Sequence, residues 1–361
     1  MKYQFVVFLL NHPHKNTASS KALADCEKIF DGNEYKSLNV YIVRSTTQLI
    51  FTLAKFSYHI MKMINKVEDN STIVVQYPIL GFNGYMKWLI KVLKRKGTKF
   101  ISIIHDIESL RTMQPHLYAK EIENLSNYDV VIAHNKYMAG WLTEQGLTVP
   151  VVPLNLFDYL LDQSKPLMHF LPEKTIDNRY TIAFAGNLEK SAFIHQLQDL
   201  QNLNFNLYGP GYTVASGTRI SNTKWCGSYS PEEVPFKLEG HFGLLWDGDS
   251  LAGCTGALGF YLQYNNPHKL SLYIAAGLPV IVPANSAIAD IVREKEIGIC
   301  INSLVDLESV LGSITEETIS QYRTNILKLR DKVVTGSNLK AALHQAEDML
   351  NKPAEEPCKV S

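Results

Sequence analysis

Residues 264–282 read Tyr-Asn-Asn-Pro-His-Lys-Leu-Ser-Leu-Tyr-Ile-Ala-Ala-Gly-Leu-Pro-Val-Ile-Val. The spacing predicts a helix over 267–276, followed by a short buried strand. Asn266 suits the N-cap, and Pro267 suits the first helical position, where no N–H is needed. Leu270, Tyr273 and Ile274 recur at helical spacing and give one apolar face. Gly277 fits the left-handed position after the helix, and Pro279 blocks continuation. Val280, Ile281 and Val282 then form a strand apolar on both sides. His268 and Lys269 fall in the first turn, where the helix dipole disfavours cations. A bound anion removes the conflict, because free N–H groups, dipole and Lys269 all point at it. The plainer reading is an exposed lysine with no task.

Working outward, the same helix-then-strand unit recurs along the chain. Strands are expected at Phe5–Leu10, Leu38–Val43, Thr72–Gln76, Lys99–Ile104, Val130–Ala133 and Val149–Val152, with helical runs between them. The rhythm lapses from Pro153 to Asn178, a connection with some helix near Phe157–Leu161. It resumes with strands at Tyr180–Phe184, Phe205–Tyr208, Gly243–Trp246, Pro279–Val282 and Gly298–Ile301. Helices are expected at Ser191–Asp199 and Pro231–Glu239 among others. Val- and Ile-rich strands alternating with helices imply parallel sheets. The expected fold is therefore α/β, two doubly wound Rossmann-like domains facing a cleft. The domains run over 1–153 and 154–337, with a terminal helix at 338–351 packing back on the first. At 361 residues the chain can build two such cores.

Composition narrows the classes. Lys plus Arg and Asp plus Glu number 35 each, so no global field points to nucleic acid. Five scattered cysteines without a C-x-x-C pair suggest neither zinc nor a disulfide framework, which suits a reducing cytosol. The apolar start, Met1–Leu10, lacks a cleavage site and reads as a buried strand. No run of eighteen apolar residues is present.

In doubly wound folds the chemistry lies on loops after strands. Asn11–Ser20 is polar, and Asn16, Thr17 and Ser19 offer acceptor contacts or merely a helix cap. His105, Asp106 and Arg111 follow the fourth strand, a position suited to acid–base work. In the second half, Phe184-Ala-Gly186-Asn187-Leu-Glu-Lys190 permits close backbone approach and phosphate binding. Tyr208-Gly-Pro-Gly211 is a tight turn, and Tyr229 can meet a nucleobase. With Lys269, these groups suit one nucleoside diphosphate. Separately, no acid occurs from Asn70 to His105. The helix there sets Lys87, Lys91, Lys94 and Arg95 beside Tyr85 and Trp88, the pattern of a contact with anionic membrane or of a solvated face.

These motifs resemble GT-B glycosyltransferases, and more closely the bacterial glucosyltransferases that extend N-acetylglucosamine on serine-rich adhesins and the related beta-1,6-galactofuranosyltransferases. The resemblance covers essentially the whole chain. It implies that Lys190, Tyr229 and Lys269 hold UDP; Gly186, Asn187, Tyr264, Asn266, Pro267 and His268 are the further donor-binding candidates beside them. Lys190 stands where an arginine is expected. Many GT-B enzymes carry two glutamates eight positions apart; here those positions hold Tyr264 and Leu272, so their retaining chemistry does not transfer. The resemblance implies an inverting hexosyl transfer from a UDP-sugar (glucose, galactose or galactofuranose) to a glycan or glycoprotein acceptor, with no metal and no further cofactor. Asp106 is the expected base, with His105 orienting it or serving instead; Asp247 is the next carboxylate to consider. A non-catalytic acceptor-binding subunit and a UDP-sugar epimerase of the same architecture are the competing readings. The expected location is the cytoplasm, on or near the inner membrane face, and a homo-oligomer stays open.

Overall fold

A computed structural model describes residues 1–10, 18–43, 49–79, 83–165, 179–213 and 222–351. Two six-stranded parallel sheets organise them. The first contains β1 (Lys2–Leu10), β2 (Lys36–Val43), β3 (Thr72–Tyr77), β4 (Lys99–Ile104), β5 (Val130–Ala133) and β6 (Val151–Pro153), in the order β2-β1-β3-β4-β5-β6. The second contains β7 (Tyr180–Ala185), β8 (Leu203–Tyr208), β9 (Thr223–Trp225), β10 (Phe242–Leu244), β11 (Val280–Pro283) and β12 (Gly298–Ile301), in the order β12-β11-β10-β7-β8-β9. Strand order reverses between β1 and β3 in one sheet and between β7 and β10 in the other. Crevices for ligands open at such reversals, beyond the carboxyl ends of the strands.

The helices of the first half are α1 (Ala18–Asp31), α2 (Leu49–Lys66), α3 (Asn83–Lys94), α4 (Glu108–Arg111), α5 (Tyr118–Leu125) and α6 (Lys136–Glu144). Those of the second are α7 (Gly256–Tyr261), α8 (His268–Ala275), α9 (Ala289–Glu294), α10 (Leu307–Ser313), α11 (Glu316–Val334) and α12 (Ser337–Asn351). The central strands β4, β5, β7 and β11 are buried almost throughout, as strands covered by helices on both faces must be. The last helix, α12, crosses to the first sheet. Its Leu339, Ala342, Leu343 and Ala346 join Ile101, Ile103, Val130 and Val152 in one core. Asp158 caps it, accepting from the Asn338 and Leu339 N–H groups at 3.2 and 2.8 Å.

Several local expectations give way to long-range contacts. Residues 157–161 carry no regular secondary structure, where a helix was expected. They are pinned from outside: Tyr159 N–H donates to the Val333 carbonyl at 2.9 Å, and Leu160 N–H to Asp25 at 2.9 Å. Lys21 and Asp25, both nearly inaccessible, form an ion pair of 2.6 Å beneath this crossing, and the Lys21 amine also donates to the Leu160 carbonyl at 2.8 Å. Ser191–Asp199 is a run of 3-10 turns over Ala192–Asp199, and Pro231–Glu239 shrinks to one turn at Val234–Phe236. The edge strand β9 and helix α7 are additional elements. Helix α8 starts one residue later than its sequence suggests. Pro267 is the N-cap, with φ −60° and ψ 134°, and Gly277 terminates the helix at φ +76°.

Candidate active site at the domain junction

The loops after β7 and β10 flank the strand-order reversal of the second sheet, and Lys269 lies between them. Its amine is 3.2 Å from the Asp247 carboxylate and 4.7 Å from the centre of the Phe184 ring. A Cβ on Gly186 would sit 3.0 Å from the Lys269 Cε, so the residue after β7 must be this small to leave the lysine in place. Tyr273 fixes the helix that carries the lysine. Its hydroxyl accepts from Ala185 N–H at 2.9 Å and donates to the Leu244 carbonyl at 2.8 Å, tying α8 to the ends of β7 and β10. The ring occupies the space a side chain on Gly243 would need, with contacts as short as 2.4 Å. Helix α8 therefore presents its amino terminus and Lys269 together in the crevice.

The neighbouring loops close round this point. Gly209 has φ +132°, and a Cβ there would lie 1.8 Å from the Gly186 carbonyl oxygen. Leu188 N–H donates to the Pro210 carbonyl and Gly209 N–H to the Gly227 carbonyl, each at 2.9 Å. The strand-end loops of β7, β8 and β9 are thus one connected rim. Tyr229, 37% exposed, lies on this rim and lines a cavity of about 540 Å³ with Tyr208, Cys226, Phe236, Lys237 and Glu239. Its hydroxyl donates to the Cys226 carbonyl at 2.9 Å, and the Lys237 amine stands 5.9 Å from the ring centre. Asn187 and Lys190 are exposed on the same rim, and the Asn187 side chain accepts from Lys190 N–H at 3.3 Å.

Three residues expected at the donor are occupied elsewhere. The Asn266 side chain is buried and does not cap α8. It donates to the His134 and Asn155 carbonyls, at 2.5 and 2.8 Å, and accepts from Asn135 at 2.6 Å. It acts as a latch between the first-half loop after β5 and the approach to α8. Tyr264 packs on the first core, edge-on to Trp141 at 6.5 Å. The His268 ring stacks on Tyr159 at 5.0 Å and its Nε2 is 3.3 Å from the Asp158 carbonyl oxygen. Pro267 carries no N–H and serves only to begin the turn.

On the opposite wall, β4 delivers His105 and Asp106. The His105 ring stacks against Phe157 at 5.7 Å, and its Nε2 is 2.7 Å from the Gln76 side-chain oxygen. Burial, reinforced by His134 and His268, lowers its pKa to about 3. It is a neutral, weakly basic imidazole whose Nε2 is engaged by Gln76. Asp106 differs. Burial raises its pKa to about 6, while Arg111 and the Tyr261 hydroxyl pull it down. Tyr261 comes from α7 of the second half yet is 2% exposed within the first core, and its hydroxyl also accepts from Ile107 N–H at 3.0 Å. Nothing in the local sequence marks Tyr261; its role appears only when α7 is seen to reach across. Arg111 is forked onto Glu108, with Nη2 at 2.6 Å from one oxygen, so its charge is already engaged. Asn16 and Thr17, and the Ser19 side chain, lie outside the described residues. Among the described residues no group of three or more metal-ligating side chains comes together.

Comparison with known proteins gives this arrangement its family. Residues 5–156 match the glucosyltransferase 3-like N-terminal domain and residues 182–346 the glucosyltransferase 3-like C-terminal domain. The chain is 30% identical over 344 residues to beta-1,6-galactofuranosyltransferase WbbI of Escherichia coli, covering 93% of this chain and 96% of that one. It is 26% identical over 263 residues to glucosyltransferase 3 of Streptococcus gordonii, covering 72% of each. Anabaena HepE in complex with UDP superposes with a TM-score of 0.58 at 12% identity, over 96% of this chain and all of that one. An alpha-glucosyltransferase in complex with UDP-glucose and DNA gives 0.58 at 13% identity, over 98% of this chain and all of that one. The chain belongs to the glucosyltransferase 3-like family, glycosyltransferases of the GT-B fold.

Proposed function

We propose that this glycosyltransferase moves a hexosyl unit from a UDP-sugar to a sugar hydroxyl of a glycoprotein or cell-surface glycan precursor, with inversion and without metal. The observation that carries the reading is the place of Lys269. A lysine and a helix amino terminus meet at the strand-order reversal of the second sheet, over a glycine that admits close approach. A diphosphate seated there is neutralised by the ammonium and by free N–H groups, which grow more favourable as the UDP leaving group gains charge. Tyr229 and the rim cavity suit the uracil ring, which stacks on an aromatic face. Lys190 extends from the same rim toward the phosphates.

Asp106 faces from the other wall as general base. A carboxylate with a pKa near 6 is ionised at neutral pH and still basic enough to take the acceptor hydroxyl proton as the new glycosidic bond forms. Asp247, the alternative carboxylate, is held by Lys269 on the donor side. The names of the relatives support a glucosyl or galactofuranosyl donor, and the free thiols Cys26, Cys226, Cys254 and Cys300 support a cytosolic site of action. The test is a panel of UDP-glucose, UDP-galactose and UDP-galactofuranose against N-acetylglucosaminyl peptide and lipid-linked glycan, read by mass spectrometry. One hexose added to an acceptor is expected. Interconversion of the UDP-sugar without acceptor would mark an epimerase, and UDP binding without any turnover would mark a non-catalytic subunit.

A further inference from the structure

Residues 35–105 contain eleven lysines and arginines but only two acids, Glu68 and Asp69, in a chain whose formal net charge is zero. The fold gathers much of this charge on one face. Helices α2 and α3 cover the same side of the first sheet. Ile60 and Met63 of α2 share a core with Met86, Leu89, Ile90 and Leu93 of α3. Just beyond α3, the Lys96 amine donates to the Ile64 and Val67 carbonyls, joining the ends of the two helices. Their outward surfaces expose apolar side chains that a solvated face does not need: Tyr58 at 64%, Met61 at 58% and Trp88 at 46%. Neither helix contains an acid.

Two of the cations expected to mark this surface are already neutralised. Lys87 pairs with Glu123, and Lys94 with Asp129 at 2.9 Å. The open cationic set is instead Lys62 and Lys66 from α2, Lys91 from α3 and Arg95 just beyond it, all exposed and without an ion pair among the described residues. The face also has a direction. Helix α3 starts just past the carboxyl end of β3, so Tyr85 and Trp88 lie at its cleft end and Arg95 at the far end.

We propose that this two-helix face docks on an anionic lipid bilayer. Tyr58, Met61 and Trp88 enter the interface while the lysines and Arg95 meet lipid phosphates. The charge of Lys62, Lys66, Lys91 and Arg95, which the neighbouring acids leave open, is complementary to such a surface, and no helix among the described residues is long and apolar enough to cross it. Docking by this face turns the mouth of the acceptor wall toward the headgroups, where a lipid-linked glycan presents its growing end. The docking stands apart from the assignment of the base and of the sugar.

The full-length chain is tested by co-sedimentation with vesicles of phosphatidylcholine alone and of phosphatidylcholine and phosphatidylglycerol in equal parts. Binding to the mixed vesicles only, weakening with salt, is expected. The Lys62→Glu, Lys91→Glu, Arg95→Glu triple variant should lose affinity by at least roughly a hundredfold, about fivefold for each cation removed. Its thermal melt and UDP affinity should match the wild type, which separates lost docking from lost folding. Quenching of tryptophan by brominated lipid should disappear in Trp88→Phe. Equal binding to neutral and mixed vesicles, undiminished binding by the triple variant, or quenching that persists in Trp88→Phe overturns the proposal. So does a salt-resistant dimer that Trp88→Phe dissolves in a chain that ignores vesicles.

Discussion

Replacing Tyr261 by Phe tests the acid–base wall through a residue that touches the base rather than through the base alone. The Tyr261 hydroxyl accepts from Ile107 N–H at 3.0 Å, and its nearness to the Asp106 carboxylate pulls the pKa of that group down. Removing it withdraws a polar partner that favours the ionised form of Asp106. A bond to a charged group contributes about 1.5–3 kcal/mol, which corresponds to roughly one to two pH units. With Asp106 near 6 in the intact protein, kcat/KM should fall about tenfold per unit below pH 6 and level off above it. In Tyr261→Phe that limb should move to between about pH 7 and 8. Asp106→Asn should lower kcat by ~10² or more at every pH while leaving UDP affinity intact. The assay is initial UDP release at saturating donor across the pH range, with acceptor below its KM for kcat/KM and saturating for kcat. An Asn variant that turns over at the wild-type rate removes Asp106 as base. A slow Asn variant, paired with a Tyr261→Phe profile that has not moved, keeps Asp106 and removes Tyr261 from its support.

The remaining predictions concern the donor crevice and acid stability. In Gly186→Ala the new methyl, 3.0 Å from the Lys269 Cε, should push the lysine aside and weaken UDP binding several-fold by calorimetry. Its melting temperature should stay close to the wild type, since Gly186 has no positive φ; unchanged affinity would contradict the placement of Lys269. The fold should weaken in mild acid. Burial lowers His105, His134 and His268 to about 3, 4 and 4, so below about 6.5 the unfolded chain takes up protons the folded one does not, and stability is lost as pH falls. Asp106 and Asp158, raised to about 6, oppose this by binding protons more readily when folded. Between pH 7 and 5 these five groups together should cost about 3 kcal/mol, measurable by chemical denaturation. Stability that is flat or rising over that range would contradict it.

Much of the fold is written locally. The helix-stop signal at Gly277 and Pro279 and the Val- and Ile-rich runs announce parallel strands because fully covered strands are apolar on both faces. Lys269 was legible for a similar reason, as a cation set against a helix dipole. What stayed hidden depends on partners distant in sequence. The crossing at 157–161 has helix-compatible residues, but its hydrogen bonds go to Asp25 and Val333, so no helix forms. Asn266 has the residue type of an N-cap, yet three groups of the first half claim its side chain. Tyr261 sits in a short helix of the second half, and only the packing of α7 into the first core brings it to Asp106. Tyr273 read as one more apolar position, whereas its hydroxyl joins two strands.

The central claim is that Lys269, at the strand-order reversal of the second sheet, receives the diphosphate of a UDP-sugar. Titration calorimetry with UDP on the wild type and on Lys269→Ala tests it directly. The alanine variant loses a charge-assisted contact and leaves Asp247 unneutralised beside the phosphates. Affinity should fall by at least 1.5–3 kcal/mol, about ten- to a hundredfold or more. Lys269→Ala combined with Asp247→Asn should recover part of that loss, because the repelling carboxylate is gone. Equal UDP affinity in the wild type and Lys269→Ala would contradict the account.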